Sequence, residues 1–181
     1  MRIDDQFKHV RLPSDSGIRE FIPTDKQVHD IIELLPIHIK PIIILLAETA
    51  CRRNEILKLT RDDINLEQRT IHLRNTKNGT DRVVPLSKKA VTVLSERLKY
   101  AHHKLFSVTP EQVTKQFRKA ADKTECYECV VHSLRHYKIS KLVQQGVDHI
   151  IVGKISGHKD IRMLQRYVKL DASQFASLMD G

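Results

Sequence analysis

The chain has 181 residues, enough for one domain with a hydrophobic core, and its 40% apolar content suits a globular fold rather than a disordered or fibrous one. Thirty-one Lys and Arg against 22 Asp and Glu leave a net charge of +9 and a pI of about 9.6, a balance that favours a polyanionic partner such as nucleic acid. No apolar run approaches the ~20 residues that span a bilayer, the start Met1-Arg2-Ile3-Asp4-Asp5 lacks a signal-peptide apolar region, and three cysteines, an odd number, argue against a disulfide framework. An intracellular protein with no membrane partner is expected.

Residues 1–20 are expected to be a linker or arm, because the first 23 are polar and Pro13-Ser14-Asp15-Ser16-Gly17 reads as a loop. Thr24 followed by Gln27 makes a capping box. Val28, Ile31, Ile32 and Leu35 then recur at the i, i+3, i+4, i+7 spacing of a core-facing helix. A nearly all-apolar helix is predicted from about Pro41 to Cys51, leading into a helical turn that carries Arg52 and Glu55. Ile71 and Leu73 alternate, Asn78-Gly79 marks a tight hairpin turn, and 82–86 returns as a second strand, which puts Lys77 beside the turn. Ser87 caps a helix with Val91, Leu94 and Leu98 on one face, and Thr109-Pro110-Glu111 opens another. Further helices are predicted near 131–145, 148–156 and 160–167. The fold class is therefore α+β, mainly helical with a small antiparallel β-sheet.

Residues able to do chemistry concentrate in a few places. Arg52 lies three before Glu55, so on a helical turn the carboxylate can reach back to the guanidinium; taken alone, such a pair is more often a structural ion pair than a site. His132, Arg135 and His136 lie at i, i+3 and i+4, and a helix presents all three on one side. Two histidines four apart also suit zinc. A guanidinium between them would repel a dication, however, and no carboxylate lies in the stretch, whereas a phosphate would accept hydrogen bonds from all three. Cys126 and Cys129 have the spacing of half a zinc site, but only Cys51 remains to complete it. No metal and no cofactor are expected. Gly157-His158 and then Tyr167 follow; Tyr167 shares a helical stripe with Ile161, Leu164 and Val168 and could be an ordinary core tyrosine. With an ordinary pKa near 10, its hydroxyl needs a cationic surround and a proton acceptor before it can attack phosphorus. Arg52, Arg135 and His158 would supply that surround if they converge.

From about residue 20 to about residue 175 the chain resembles the catalytic domain of the tyrosine recombinases, the phage integrase family. Thr49 to Ile56 is similar to the family's T-G-x-R-x-x-E-L box, with Ala50 for Gly and Ile56 for Leu. Lys77 followed by Arg82-Val83-Val84-Pro85-Leu86 resembles its hairpin lysine and R-x-V-P-L, His132 to His136 its H-x-L-R-H, Ser156-Gly157-His158 its L-G-H, and Tyr167 stands the usual nine residues beyond His158. The departures are Ser156 for Leu, Met163-Leu164 for a common Thr-Thr, and Lys138-Ile139-Ser140 for T-F-A. None removes a catalytic group; they touch the packing around the nucleophile helix.

The resemblance implies a site-specific recombinase or integrase that breaks and rejoins double-stranded DNA through a 3′-phosphotyrosine, needing neither ATP nor metal. Tyr167 would be the nucleophile and Arg52, Arg135 and His158 the stabilisers of phosphate charge. Lys77 would be the general acid and His132 the proton partner of Tyr167, with Glu55 and His136 in support. Arg52, Lys77 and Arg135 would also be the DNA-binding residues. It further implies tetramers on two DNA sites, a bacterial or phage-infected cytoplasm, and residues 21–181 as the catalytic domain, with the family's N-terminal core-binding domain expected to be absent. The tail from Val168 would dock either on a neighbour or on its own domain. A type IB topoisomerase-like relaxation activity and a non-catalytic DNA-binding module are the rival expectations.

Overall fold

The computed structural model describes residues 21–74, 81–158 and 160–167; the arm over 1–20, Lys77 with the Asn78-Gly79 turn, and the tail from Val168 lie outside them. Among the described residues the order is α1 (Asp25–Glu33), α2 (Lys40–Thr49), α3 (Arg53–Lys58), a 3₁₀ turn (Arg61–Asp63), β1 (Ile64–Asn65), β2 (Thr70–Leu73), β3 (Arg82–Pro85), α4 (Lys88–Tyr100), α5 (Pro110–Lys123), α6 (Ser133–Gln144), α7 (His149–Ser156) and a closing 3₁₀ helix (Ile161–Tyr167). The predicted class, mainly helical with a small antiparallel sheet, is the one observed.

Local chemistry sets most of the boundaries. Thr24 and Thr109 build full capping boxes with Gln27 and Gln112, and Ser87 Oγ accepts from the Ala90 amide at 3.1 Å. The apolar helix α2 stops at Thr49, two residues before its predicted end. Ala50 takes a left-handed conformation (φ 56°), a strained choice for any residue with a Cβ, and turns the chain out of the helix. Arg52 then acts as the N-cap of a separate short helix. Its amide donates to Glu55 Oε2 at 2.6 Å, so Arg52 and Glu55 mark a helix start rather than the continuation of α2.

The sheet is a meander, β1-β2-β3, with Ile64 opposite Ile71 and Leu73 opposite Arg82. Its alternation turns Ile71, Leu73 and Val84 into the core. Helix α2 lies at the centre and packs against α1, α3, α4 and α6. Ile42, Ile43 and Leu45 from α2, Ile31 from α1, Leu94 from α4 and Phe117 from α5 are buried together there, each contributing about 1.5–3 kcal/mol relative to exposure. A second, smaller cluster joins Ala50, Ile139, Val152, Leu164 and Tyr167, and so ties the closing 3₁₀ helix to α6 and α7. Polar ties fix α6 further: Lys141 Nζ and Tyr137 Oη both bond Asp25 of α1, and Lys138 pairs with Glu48 of α2 at 3.6 Å.

A cationic site built where three segments meet

The left-handed turn at Ala50, the first turn of α6 and the end of α7 converge on one point. Arg135 is buried, 3% exposed, and its Nη1 donates to the Ala50 carbonyl at 2.6 Å, so the strained turn supplies an acceptor that holds the guanidinium in place. Its Nη2 lies 3.4 Å from His158 Nε2. Arg52 Nη1 reaches Glu55 Oε1 at 3.0 Å, as the three-residue spacing suggests.

Glu55 has a second and closer claimant. Arg82 of β3 grips it with both ends of its fork, Nη1 to Oε1 at 2.9 Å and Nη2 to Oε2 at 2.8 Å, while Arg82 Nε donates to the Ile155 carbonyl at 3.0 Å. Burial works to raise the Glu55 carboxyl, but the hydrogen bonds from Arg82 and from the Arg52 amide outweigh it and hold the group below the ordinary carboxylate value. Arg82 thus links the β2-β3 hairpin, which carries Lys77 in its connecting segment, to α3 and to the last turn of α7. Gly157 ends that turn with φ 74°, and a Cβ there would stand 3.0 Å from the Arg82 guanidinium carbon, so glycine is required both for the backbone conformation and for the room.

The charge balance follows from these contacts. Arg52 and Arg82 both bond the Glu55 carboxylate, whose charge also acts at longer range on Arg135. Burial first, then repulsion from Arg52, pulls Arg135 down to about 10, although Glu55 works the other way. It stays charged at neutral pH. A buried guanidinium with too little counter-charge is a site prepared for an anion, and the planar fork suits two oxygens of a phosphate. Arg52, Arg135 and His132 open onto a cleft of about 1010 Å³, also lined by Arg53, His72 and Arg74 and by the carboxylates of Glu55, Asp62 and Asp63.

Tyr167 packs against Ala50 and does not line that cleft. It is buried, 6% exposed, and its hydroxyl makes a short hydrogen bond to His136 Nδ1, the two rings stacking with centroids 5.9 Å apart. His132, the N-cap of α6, meets His136 edge-on at 4.8 Å. His136, expected only in support, is thus the imidazole at the tyrosine hydroxyl, and His132 stands one ring further away.

The cysteines are buried free thiols, and burial pushes Cys51 up to about 11 and Cys129 up to about 12. Among the described residues no group of three or more His, Cys, Asp and Glu is arranged to hold a metal, and no helix is long and apolar enough to cross a membrane. Sequence reasoning gave Arg82 no role. The available signal was its place in the boundary row of the sheet, where a charge needs a partner, together with the lone Glu55 among several basic residues.

Known proteins share this sequence and architecture. The chain is 36% identical over 138 residues to a shufflon-specific DNA recombinase of Escherichia coli, covering 76% of this chain and 36% of the relative. It is 34% identical over 133 residues to tyrosine recombinase XerA of Saccharolobus solfataricus, covering 72% of this chain and 45% of that protein. The chain therefore spans between about a third and a half of the length of these curated relatives. Among solved structures, the catalytic domain of bacteriophage HP1 integrase superposes with a TM-score of 0.68 at 20% identity, over 86% of this chain and 93% of that one. The crystal structure of XerA recombinase gives 0.71 at 22% identity, over 87% and 63%. These likenesses speak for the fold. Residues 22–174 match the phage integrase family, and the chain belongs to that family.

Proposed function

We propose that this chain is the catalytic domain of a site-specific recombinase that cuts and rejoins double-stranded DNA through a tyrosine-phosphate bond. The observation that carries the proposal is the buried Arg135, held by the Ala50 carbonyl with an imidazole at its Nη2, beside Arg52 and Arg82 on the one carboxylate of Glu55. The relatives named as DNA recombinases support the same reading. In this mechanism the Tyr167 oxygen attacks the scissile phosphorus, the bond to the 5′-oxygen breaks, and a 3′-phosphotyrosine and a 5′-hydroxyl result. Arg52, Arg135 and His158 stabilise the charge on the non-bridging oxygens. The contact between Tyr167 Oη and His136 Nδ1, with the phenol donating, supports His136 as the group that takes the Tyr167 proton, the part expected of His132 from sequence. Attack by the 5′-hydroxyl of a partner strand reverses the step, and the phosphodiester energy is kept in the covalent link. Exchange between two sites calls for four subunits in the cytoplasm of a bacterial or phage-infected cell.

The direct test is trapping on a nicked suicide duplex that lets the 5′ fragment diffuse away. Incubated in excess chelator, the 181-residue chain should accumulate a detergent-resistant protein-DNA adduct; no adduct, or one formed only after zinc is restored, would remove the metal-free reading.

Lys77 is assigned the proton for the leaving 5′-oxygen. Lys77→Ala should slow cleavage of ordinary DNA by about 10²–10⁴-fold, the range for one general acid, and a 5′-bridging phosphorothiolate, whose thiolate leaves without a proton, should restore most of the rate. Equal impairment on both substrates would move the acid role to another group.

A further inference from the structure

Ser156 stands where the family has an apolar residue before Gly-His, and it is fully buried, 0% exposed. A hydroxyl inside a helix commonly bonds back one turn, and Ser156 Oγ does so, 2.6 Å from the Val152 carbonyl. The same oxygen lies 2.7 Å from His158 Nδ1. A hydroxyl has one proton, and a carbonyl oxygen can only accept, so the short contact to Val152 places the Ser156 proton there. Oγ then accepts from the ring, and Nδ1 must carry a hydrogen. On the far side of the ring, Nε2 faces Arg135 Nη2 at 3.4 Å, a group that only donates. The two neighbours, from different helices, select the same tautomer.

We propose that Ser156 is a positioning residue that fixes His158 as the Nδ1–H tautomer and so reserves Nε2 for the anion bound by Arg135. Its catalytic consequence rests on the recombinase reading; its geometry does not. When phosphate enters, Nε2 gives up its contact with Arg135, takes a proton from solvent and donates to a non-bridging oxygen, while Ser156 goes on accepting from Nδ1. Among the described residues, charged and titratable groups near the ring include Arg135 from α6, Arg82 from β3 beneath Gly157, Glu55 from α3, which binds Arg82, and the Tyr167-His136 pair beyond. With an apolar residue at this position the Ser156 acceptor for Nδ1–H is gone, and Arg135 alone still disfavours a proton on Nε2.

Nitrogen-15 NMR of the histidine-labelled 181-residue chain without DNA reads the tautomer directly, with His158→Gln identifying the signals. Wild type and Ser156→Thr, which keeps the hydroxyl, should show Nδ1–H at His158, and Ser156→Ala, where Arg135 alone still disfavours a proton on Nε2, should show a raised Nε2–H population. On the suicide duplex, Ser156→Ala should form adduct about tenfold more slowly with DNA affinity unchanged, and Ser156→Thr should recover the rate; tenfold corresponds to about 1.4 kcal/mol, the scale of one hydrogen bond to a charged group. An Nε2–H tautomer in wild type overturns the proposal even if the alanine variant fails to fold, and so does an unchanged tautomer or an undiminished rate in a folded Ser156→Ala. The expected tautomers with no adduct from any variant, wild type included, would leave Ser156's role on the ring intact and sink the recombinase reading instead.

Discussion

Replacing Arg82 by alanine is expected to destabilise the chain by about 3–5 kcal/mol, the usual cost of removing one partner of a buried ion pair, a large part of the 5–15 kcal/mol that holds a typical domain together. The Arg82 and Glu55 side chains are only 9% and 10% exposed, so water cannot replace the lost partner. The variant also loses the Nε bond to the Ile155 carbonyl, and with it the tie between the hairpin and the end of α7. The pH dependence carries the signature. In the wild type Glu55 is held below its ordinary 4.5, so its contribution to stability is complete above about that pH and is lost as pH falls through the lower folded value. In Arg82→Ala the burial of Glu55 is offset only by Arg52, so acidification should cost the variant less than the wild type, or even stabilise it. Denaturant unfolding at pH 7 and pH 4 measures both effects. A loss below about 1 kcal/mol at pH 7, with parallel pH profiles, would mean that the bidentate pair does little for the fold.

Much of the architecture was readable from local signals. The capping box at Thr24, the Thr109-Pro110 start and the Ser87 cap announced three helix starts, and the alternation of Ile71 and Leu73 announced a strand, because each depends on residues a few positions apart. The break after Thr49 was not readable, since nothing in an alanine announces a left-handed backbone; the conformation is imposed by what Arg135 and the neighbouring helices require. The family boxes named the functional residue types, and the structure brings Arg52, Arg135, His158 and Tyr167 into one neighbourhood, while Lys77 lies outside the described residues. What spacing could not reveal was who touches whom. Glu55 was paired with Arg52 on sequence distance alone, yet its strongest partner, Arg82, comes from 27 positions away. For the same reason His132 and His136, four apart on one face, could not be ranked as partners of Tyr167 until the closing helix was placed against α6.

Tyr167→Phe should lower covalent attachment to DNA by at least about 10⁴-fold, the scale for removing a nucleophile, while duplex affinity stays within about twofold. Affinity should survive because Arg52 and Arg135, not the phenol, line the cationic cleft. The fold should survive too. The phenylalanine ring can keep the packing of Tyr167 against Ala50, Ile139, Val152 and Leu164, and the loss is one hydrogen bond to His136, about 1 kcal/mol. No other tyrosine is placed to take over: Tyr100 and Tyr127 are on the surface at 77% and 61% exposed, and Tyr137 is engaged by Asp25 and Lys141 on the α1 side of α6. Denaturing electrophoresis of the chain on a labelled nicked duplex separates the possibilities. An undiminished adduct from the Phe variant would give the nucleophile role to another residue, and the stacked Tyr167-His136 pair would then be a structural clamp on the closing helix. Loss of adduct together with loss of DNA binding would point to collapse of the cluster. Loss of adduct alone is the outcome expected of a tyrosine held ready, beside an imidazole, for a phosphate that Arg52 and Arg135 have drawn in.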